Sequence, residues 1–246
     1  MSALVIEDVS KSFGGVRALS NVSFTVEPRQ RRLLIGPNGA GKTTLFNMVA
    51  GTFPVSSGRI TLFGRDITAL PAYERARAGL ARTFQITNLF PRLTVLDNIL
   101  LALQAADRSA FSMSQSMRSR TDLLDRAQEL LAQWDLSAIA QQPTTAVSYG
   151  EKRQVDLILA MAVEPKILLL DEPTAGLSAL EVIRVVGMIR SLPRDMTILM
   201  IEHDMDVAFE LADRIAVLHQ GQLIAEGDAE TVRKDPQVSE IYLGAE

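Results

Sequence analysis

Between the apolar strand Leu33-Leu34-Ile35 and a stretch of helical spacing stand Gly36-Pro37-Asn38-Gly39-Ala40-Gly41-Lys42-Thr43-Thr44. Glycine at 36 and again at 41, followed at once by Lys42 and Thr43, is the spacing of a loop that wraps phosphates. Glycines let backbone N–H groups close on phosphate oxygens, and the helix that follows turns its positive end toward them. Lys42 supplies a point charge and Thr43 a hydroxyl ligand for magnesium. The segment reads as the triphosphate site of a nucleotide, with Mg2+ as the accompanying ion.

Two more constellations suit that chemistry. The apolar strand Ile167-Leu168-Leu169-Leu170 runs into Asp171-Glu172, and in open α/β sheets ligands bind outside the carboxyl ends of strands. Asp171 suits magnesium, directly or through water, and Glu172 suits orienting or deprotonating the water that attacks a γ-phosphate. Alone they could be two loop acids before Pro173; the phosphate loop favours the functional reading. His203 follows a second apolar strand, Thr197 to Ile201, and can donate to the γ-phosphate. A solitary histidine is more often an ordinary surface residue, and His219, beside a hairpin turn, is given that reading.

Ser148 and Glu151 open the helix that runs through Val155, Ile158, Leu159 and Ala162, and fit a capping box that would explain both. With Gly150 permitting close approach, the same helix start is also an anion site. A chain that already owns a phosphate loop would then carry two half-sites, which suggests two chains sharing one nucleotide.

Bulk composition excludes other classes. The 246 residues are 47% hydrophobic, enough for a large core. No run of about 18 apolar residues exists, and Ile99 to Ala106 is too short to cross a bilayer. Met1 to Asp8 lacks a basic start and apolar core, so no secretory signal is expected and the nucleotide should be met in the cytosol. Zero cysteines exclude thiolate chemistry, two histidines argue against a histidine-rich metal site, and a net charge of −4 argues against nucleic acid as partner.

The elements that must position these residues are legible as periods. Alternation in Ala3 to Val9, in Val22, Phe24 and Val26, and in Arg59 to Phe63 predicts an antiparallel sheet near the N-terminus. Leu45, Met48 and Val49 form one helical face before Gly51 stops it. Helical spacing runs from Thr94 to Gln104 and from Thr121 to Trp134, with a polar, serine-rich connector from Asp107 to Arg120. Strands at 167–170 and 198–201, separated by a helix at Ala179 to Ser191, predict a parallel βαβ crossover. Arg214 to His219 and Gln222 to Ala225 flank Gln220-Gly221 as a hairpin, before an amphipathic tail. The fold class is α/β: a phosphate-loop NTPase core with a parallel sheet, an N-terminal antiparallel β subdomain and an inserted α-helical subdomain. Residues 1–246 are expected to form a single domain, with 1–87 and 166–246 as the nucleotide-binding part and 88–165 as the helical insertion.

In this order the motifs resemble those of the ATP-binding-cassette (ABC) ATPases over nearly the whole chain. The loop at 36–44 is similar to Walker A, Ile167 to Glu172 to Walker B with its catalytic glutamate, and His203 to the switch histidine. The resemblance adds two residues. Gln85, in Arg82-Thr83-Phe84-Gln85, matches the Q-loop glutamine, which implies contact with magnesium and the attacking water and a link to a membrane partner. Phe13, in Lys11-Ser12-Phe13-Gly14-Gly15, matches the aromatic that stacks on adenine, although as a lone aromatic it would read as core. Ser12 to Gly15, Pro173 to Ser178 and Tyr242-Leu243-Gly244 look like the ATPases of branched-chain amino acid importers, and a urea or short-amide importer ATPase would look similar.

Three departures from the family pattern stand out. Val147, Tyr149 and Glu151 replace the leucine, first glycine and glutamine of the usual signature, while Ser148 and Gly150 remain. Glu151 would repel a phosphate unless it turns back into the capping box. Ser178 stands where many members carry an aspartate. In Pro28-Arg29-Gln30-Arg31-Arg32, adjacent Arg31 and Arg32 should point to opposite faces, so that one could face the core, with a stem lying along the surface and its head in water as the simplest outcome.

The resemblance implies a Mg2+-dependent ATPase in which Lys42, Glu172, His203 and Gln85 carry catalysis and Thr43, Gln85 and Asp171 attend the metal. Phe13, the loop from Gly36 to Thr44, and Ser148 with Gly150 would hold ATP. Expected partners are transmembrane permease subunits, a second ATPase subunit and, indirectly, a solute-binding protein, at the cytoplasmic face of the membrane. A soluble ABC ATPase driving assembly or repair is the alternative, and a nucleotide-gated module without turnover is a third.

Overall fold

The computed structural model describes residues 1–83, 89–106 and 120–243. In chain order these form β1 (Leu4–Phe13), β2 (Val16–Val26), β3 (Arg31–Ile35), α1 (Lys42–Ala50), β4 (Ser57–Leu62), β5 (Arg65–Asp66), α2 (Ala72–Arg77) and β6 (Leu80–Arg82). Then come α3 (Val95–Ala106), α4 (Thr121–Gln133), α5 (Tyr149–Ala162), β7 (Ile167–Asp171), α6 (Ala179–Ser191), β8 (Thr197–Ile201) and α7 (Met205–Leu211). The chain closes with β9 (Arg214–His219), β10 (Gln222–Gly227), α8 (Ala229–Arg233) and α9 (Pro236–Leu243). Two compact units emerge, one from the described residues of Met1–Arg82, Lys166–Ala175 and Leu192–Glu246, the other from those of Thr83–Pro165 and Gly176–Ser191.

The first unit holds two sheets. Strands in the order β2-β1-β4-β5 pair antiparallel, bringing Leu4 opposite Val26 and Leu62, and Ile6 opposite Phe24 and Ile60. Their period-two faces share one core with Leu45, Phe46, Met48 and Val49 of α1. The second sheet has the order β10-β9-β3-β8-β7-β6, parallel except for β10. Strands β3, β7 and β8 are buried along their whole length, which is why they read as apolar runs rather than alternations. The β9–β10 hairpin turns at Gln220 and Gly221, both at positive φ, as a two-residue hairpin turn matching the strand twist requires.

Arg31 and Arg32 depart from expectation: both are buried, at 6% and 2% exposure. Strand β3 is central and covered on both faces, so alternation offers no wet side. Arg31 donates from Nη2 to the Leu192 carbonyl (3.3 Å). Arg32 pairs with Glu226 at 2.9 Å and lies 5.2 Å from the centre of the Phe24 ring, yet its Nε and Nη2 find no aligned hydrogen-bond acceptor. Burial lowers the pKa of both guanidinium groups. Glu226→Ala would strand the Arg32 charge, and an unfolding free energy lower by about 1–3 kcal/mol is expected. Urea unfolding of the two proteins checks this; identical midpoints would mean that Arg32 does not depend on Glu226.

The second unit is helical. Helix α3 buries Val95, Leu96, Ile99, Leu100 and Leu103, and α4 buries Leu123, Ala127, Leu130 and Leu131, each at i, i+3, i+4 spacing. Trp134 Nε1 donates to Ser191 Oγ (3.2 Å), tying the end of α4 to that of α6. Most of the polar connector, residues 107–119, lies outside the described residues. No helix among the described residues is long and apolar enough to cross a membrane.

Candidate active site

Three parallel strands deliver the candidate residues to one edge. The chain makes them in the order β3, β7, β8, but the sheet places β8 between the other two. The loop after β3, Asp171 and Glu172 at the end of β7, and His203 just past β8 therefore converge. A pocket lined by residues 38–44, Ala18, Glu172 and His203 results.

The loop is built to hold an anion. Gly41, at φ 102, directly precedes α1, and a Cβ there would strike Leu19 and the Ala18 carbonyl. No side chain from the N-cap bonds the first N–H groups of α1, and no acid occupies its first turn. Those donors are free for phosphate oxygens. Lys42 is 5% exposed and donates from Nζ to the carbonyls of Gly36 (2.5 Å) and Pro37 (3.1 Å). An ammonium has three donors, so one remains. Burial lowers the Lys42 pKa, while the carboxylates of Glu172 and Asp171 act to raise it.

Asp171 is 1% exposed, and its Oδ2 accepts from Arg82 Nη2 at 2.7 Å. Arg82 Nη1 in turn donates to Asn47 Oδ1 of α1 (2.7 Å). The other oxygen, Oδ1, is buried with no hydrogen-bond partner. A buried bare carboxylate oxygen demands a cation or a water held by one, which is the donor chemistry magnesium favours. Among the described residues no cluster of three or more acids and histidines could cage a metal by itself, so Thr43, Asp171 and the phosphates would have to share it.

Glu172 takes the left-handed backbone conformation, φ 49, rare for a residue with a side chain. Its N–H donates to the Ile201 carbonyl (3.0 Å), and its Oε1 lies 2.5 Å from His203 Nε2. With Glu172 ionised, Nε2 must carry the proton between them. Strain of about 1–3 kcal/mol at such a residue marks a position whose side-chain direction matters.

Phe13 ends β1, 43% exposed, its ring edge-on to Phe53 at 5.8 Å and with Lys11 Nζ 4.9 Å from its centre. It does not line the phosphate pocket; Ala18, on the neighbouring β2, does. Gln85 lies outside the described residues.

In the helical unit the capping box forms in full: Ser148 N donates to Glu151 Oε2 (2.7 Å) and Glu151 N to Ser148 Oγ (3.2 Å). Glu151 thus turns back from the approach to the helix. Another acid takes its place. Glu181 of α6 accepts from the Gly150 N–H through Oε1 (3.1 Å) and from Ser178 N and Oγ through Oε2 (2.9 and 2.7 Å). Any Cβ at Gly150 would overlap the Glu181 carboxylate. These donors lower the Glu181 pKa, the Ser178 hydroxyl foremost.

Sequence reasoning missed Arg82, Asn47, Ala18 and Glu181. Arg82 meets Asp171, and Asn47 meets Arg82, from elements far off in the chain, and nothing in their own neighbourhood signals it. Glu181 was reachable, because Ser178 and Glu181 repeat the Ser-x-x-Glu spacing of Ser148 and Glu151.

Fold and loop are those of a phosphate-loop nucleotide-binding protein. Residues 19–175 match the family of ABC transporters, and residues 222–246 match the family described as branched-chain amino acid ATP-binding cassette transporter. LivG of Salmonella typhimurium, a high-affinity branched-chain amino acid transport ATP-binding protein, is 38% identical over 98% of this chain and 97% of its own. BraF of Pseudomonas aeruginosa, of the same description, is 35% identical over the same shares. LptB of Escherichia coli, the ATP-binding protein of a lipopolysaccharide export system, is 35% identical over 99% of this chain and 98% of its own. The ADP conformation of MJ1267, an ATP-binding cassette of an ABC transporter, superposes with a TM-score of 0.87 at 30% identity, covering 99% of each chain. The chain belongs to the ABC transporter family, as one of its ATP-binding cassettes, and is an ATPase.

Proposed function

We propose that this chain hydrolyses ATP to drive an importer of branched-chain amino acids or a related small amino acid or amide. The observation that carries the solute class is the match of residues 222–246. Overall identity separates little, since the lipopolysaccharide export ATPase is 35% identical and the amino acid importer ATPases 35–38%. Subunits of this kind work with membrane-spanning subunits, and permeases with an apolar path and a binding protein for leucine-like solutes complete the reading. The chain then sits against the cytoplasmic face of the membrane. Reconstituted with permeases and binding protein from its own gene neighbourhood, it should show ATPase stimulation by leucine, isoleucine or valine. Stimulation only by lipopolysaccharide, or by none of these solutes, would overturn the solute class.

In this reading the loop amides of residues 36–41 and Lys42 neutralise the phosphates, and Phe13 lies under the adenine. Thr43, Asp171 and Gln85 hold Mg2+, which when bound offsets charge on the transferring phosphoryl group. Glu172 orients the attacking water and accepts its proton. His203 donates from its ring to the γ-phosphate and keeps Glu172 aimed. Ser148 and Gly150 meet the nucleotide of a second ATPase subunit.

The last role requires Gly150 N–H to leave Glu181. Glu181→Ala, made together with Glu172→Gln so that ATP persists, should lower the ATP concentration needed for dimerisation several-fold. Gel filtration with ATP reads it. An unchanged or raised requirement would take Gly150 out of the shared site.

A further inference from the structure

Glu202 immediately precedes His203 and has no part in the chemistry above. Its side chain lies in the interior, the residue 3% exposed. Through Oε1 it accepts from Thr174 N (3.0 Å) and Thr174 Oγ1 (2.8 Å), and through Oε2 from His203 N (3.1 Å). Thr174 is itself buried, two residues after Glu172, and the Ala175 N–H closes that turn on the Glu172 carbonyl (3.1 Å). One carboxylate therefore joins the turn that carries Glu172 to the turn that carries His203, behind the pair that those two side chains make.

The residue type is demanding. Burial raises the Glu202 pKa, and the donors, those of Thr174 first, work against that rise. Three donors aimed at two oxygens need a carboxylate; glutamine would turn its NH2 toward at least one of them, and an apolar side chain would leave all three unmet. A left-handed Glu172 persists only where its surroundings over-determine it. The tie to Thr174 is a buried side-chain contact that reaches this turn from the histidine side, beside the Glu172 N–H bond to the Ile201 carbonyl.

We propose that Glu202 is a positioning residue for ATP hydrolysis: it sets Glu172 and His203 against each other by clamping their two turns through Thr174 and the His203 amide. This rests on the reading that Glu172 and His203 act together on ATP. Glu202 is buried and does not line the phosphate pocket, so its effect should fall on turnover and not on binding.

The test is single-turnover hydrolysis and ATP binding by the full chain carrying Glu202→Gln, alone and with His203→Ala. Glu202→Gln is expected to slow hydrolysis on the order of 10²-fold, the scale of a displacement of about 1 Å, with ATP affinity unchanged. In the His203→Ala background the same substitution should cost little more, because the geometry it guards is already lost. Thr174→Val, which removes one donor, should give the same pattern at smaller size, and Thr174→Ser should restore wild-type turnover; this pair serves if Glu202→Gln does not fold. Equal slowing in both backgrounds, or loss of ATP affinity in step with thermal stability, would reduce Glu202 to general scaffolding and overturn the proposal. Normal turnover by Glu202→Gln beside a defective His203→Ala would sink this inference alone. Normal turnover by His203→Ala would sink the pair and this inference together.

Discussion

Glu172→Gln is expected to bind ATP as the unaltered chain does and to hydrolyse it about 10²- to 10⁴-fold more slowly, the range for loss of a general base. The substitution keeps the shape of the side chain and the left-handed backbone at φ 49, so the pocket should survive. What disappears is the acceptor for the water's proton and the charge that His203 Nε2 faces at 2.5 Å. The amide can still meet Nε2 through its oxygen, which is why binding should stand while chemistry fails. Phosphate release under saturating ATP measures the rate and equilibrium titration the affinity. Unimpaired turnover would remove Glu172 from catalysis and leave the strained backbone without a functional reason.

Lys42→Ala should show the opposite division, with the loss in binding. Its ammonium is the buried cation of the loop, steadied by the Gly36 and Pro37 carbonyls, and burial already disfavours its charge. A triphosphate repays that cost, since hydrogen bonds to a charged group contribute about 1.5–3 kcal/mol each. The dissociation constant for ATP should rise about 10- to 10²-fold on that scale. Lys42→Arg is not expected to rescue it, because a planar guanidinium does not fit where a compact ammonium sits between two carbonyls. An unchanged ATP titration for the alanine variant would place the phosphates elsewhere. Together the two variants separate gripping the nucleotide from breaking it.

Much of this protein is written locally in its sequence. The phosphate loop, the helix it opens, the Ser148–Glu151 capping box and the Gln220–Gly221 hairpin each depend on residues within a few positions of one another. Chain-local geometry follows from residue type there, so those elements could be read without the fold. The bounds of the helix Ala179–Ser191 were equally legible from its period. Resemblance to a known family then linked those local pieces and brought in Phe13 and Gln85, which their own surroundings do not mark.

What the tertiary structure decided is everything that depends on strand order. Nothing in residues 197–203 says that β8 lies between β3 and β7, yet that insertion brings His203 to Glu172. The same sheet explains why Arg31 and Arg32 are both buried, since alternation tells opposite faces apart but not whether either face meets water. Arg82 reaches Asp171 across 89 residues of sequence, and Asn47 reaches Arg82 across 35, each along one hydrogen bond. Glu181 occupies the amide of Gly150, because the position of α6 beside the start of α5 is set by packing. Local sequence specifies which groups can do chemistry; burial and strand order, which sum over the whole chain, specify which of them meet.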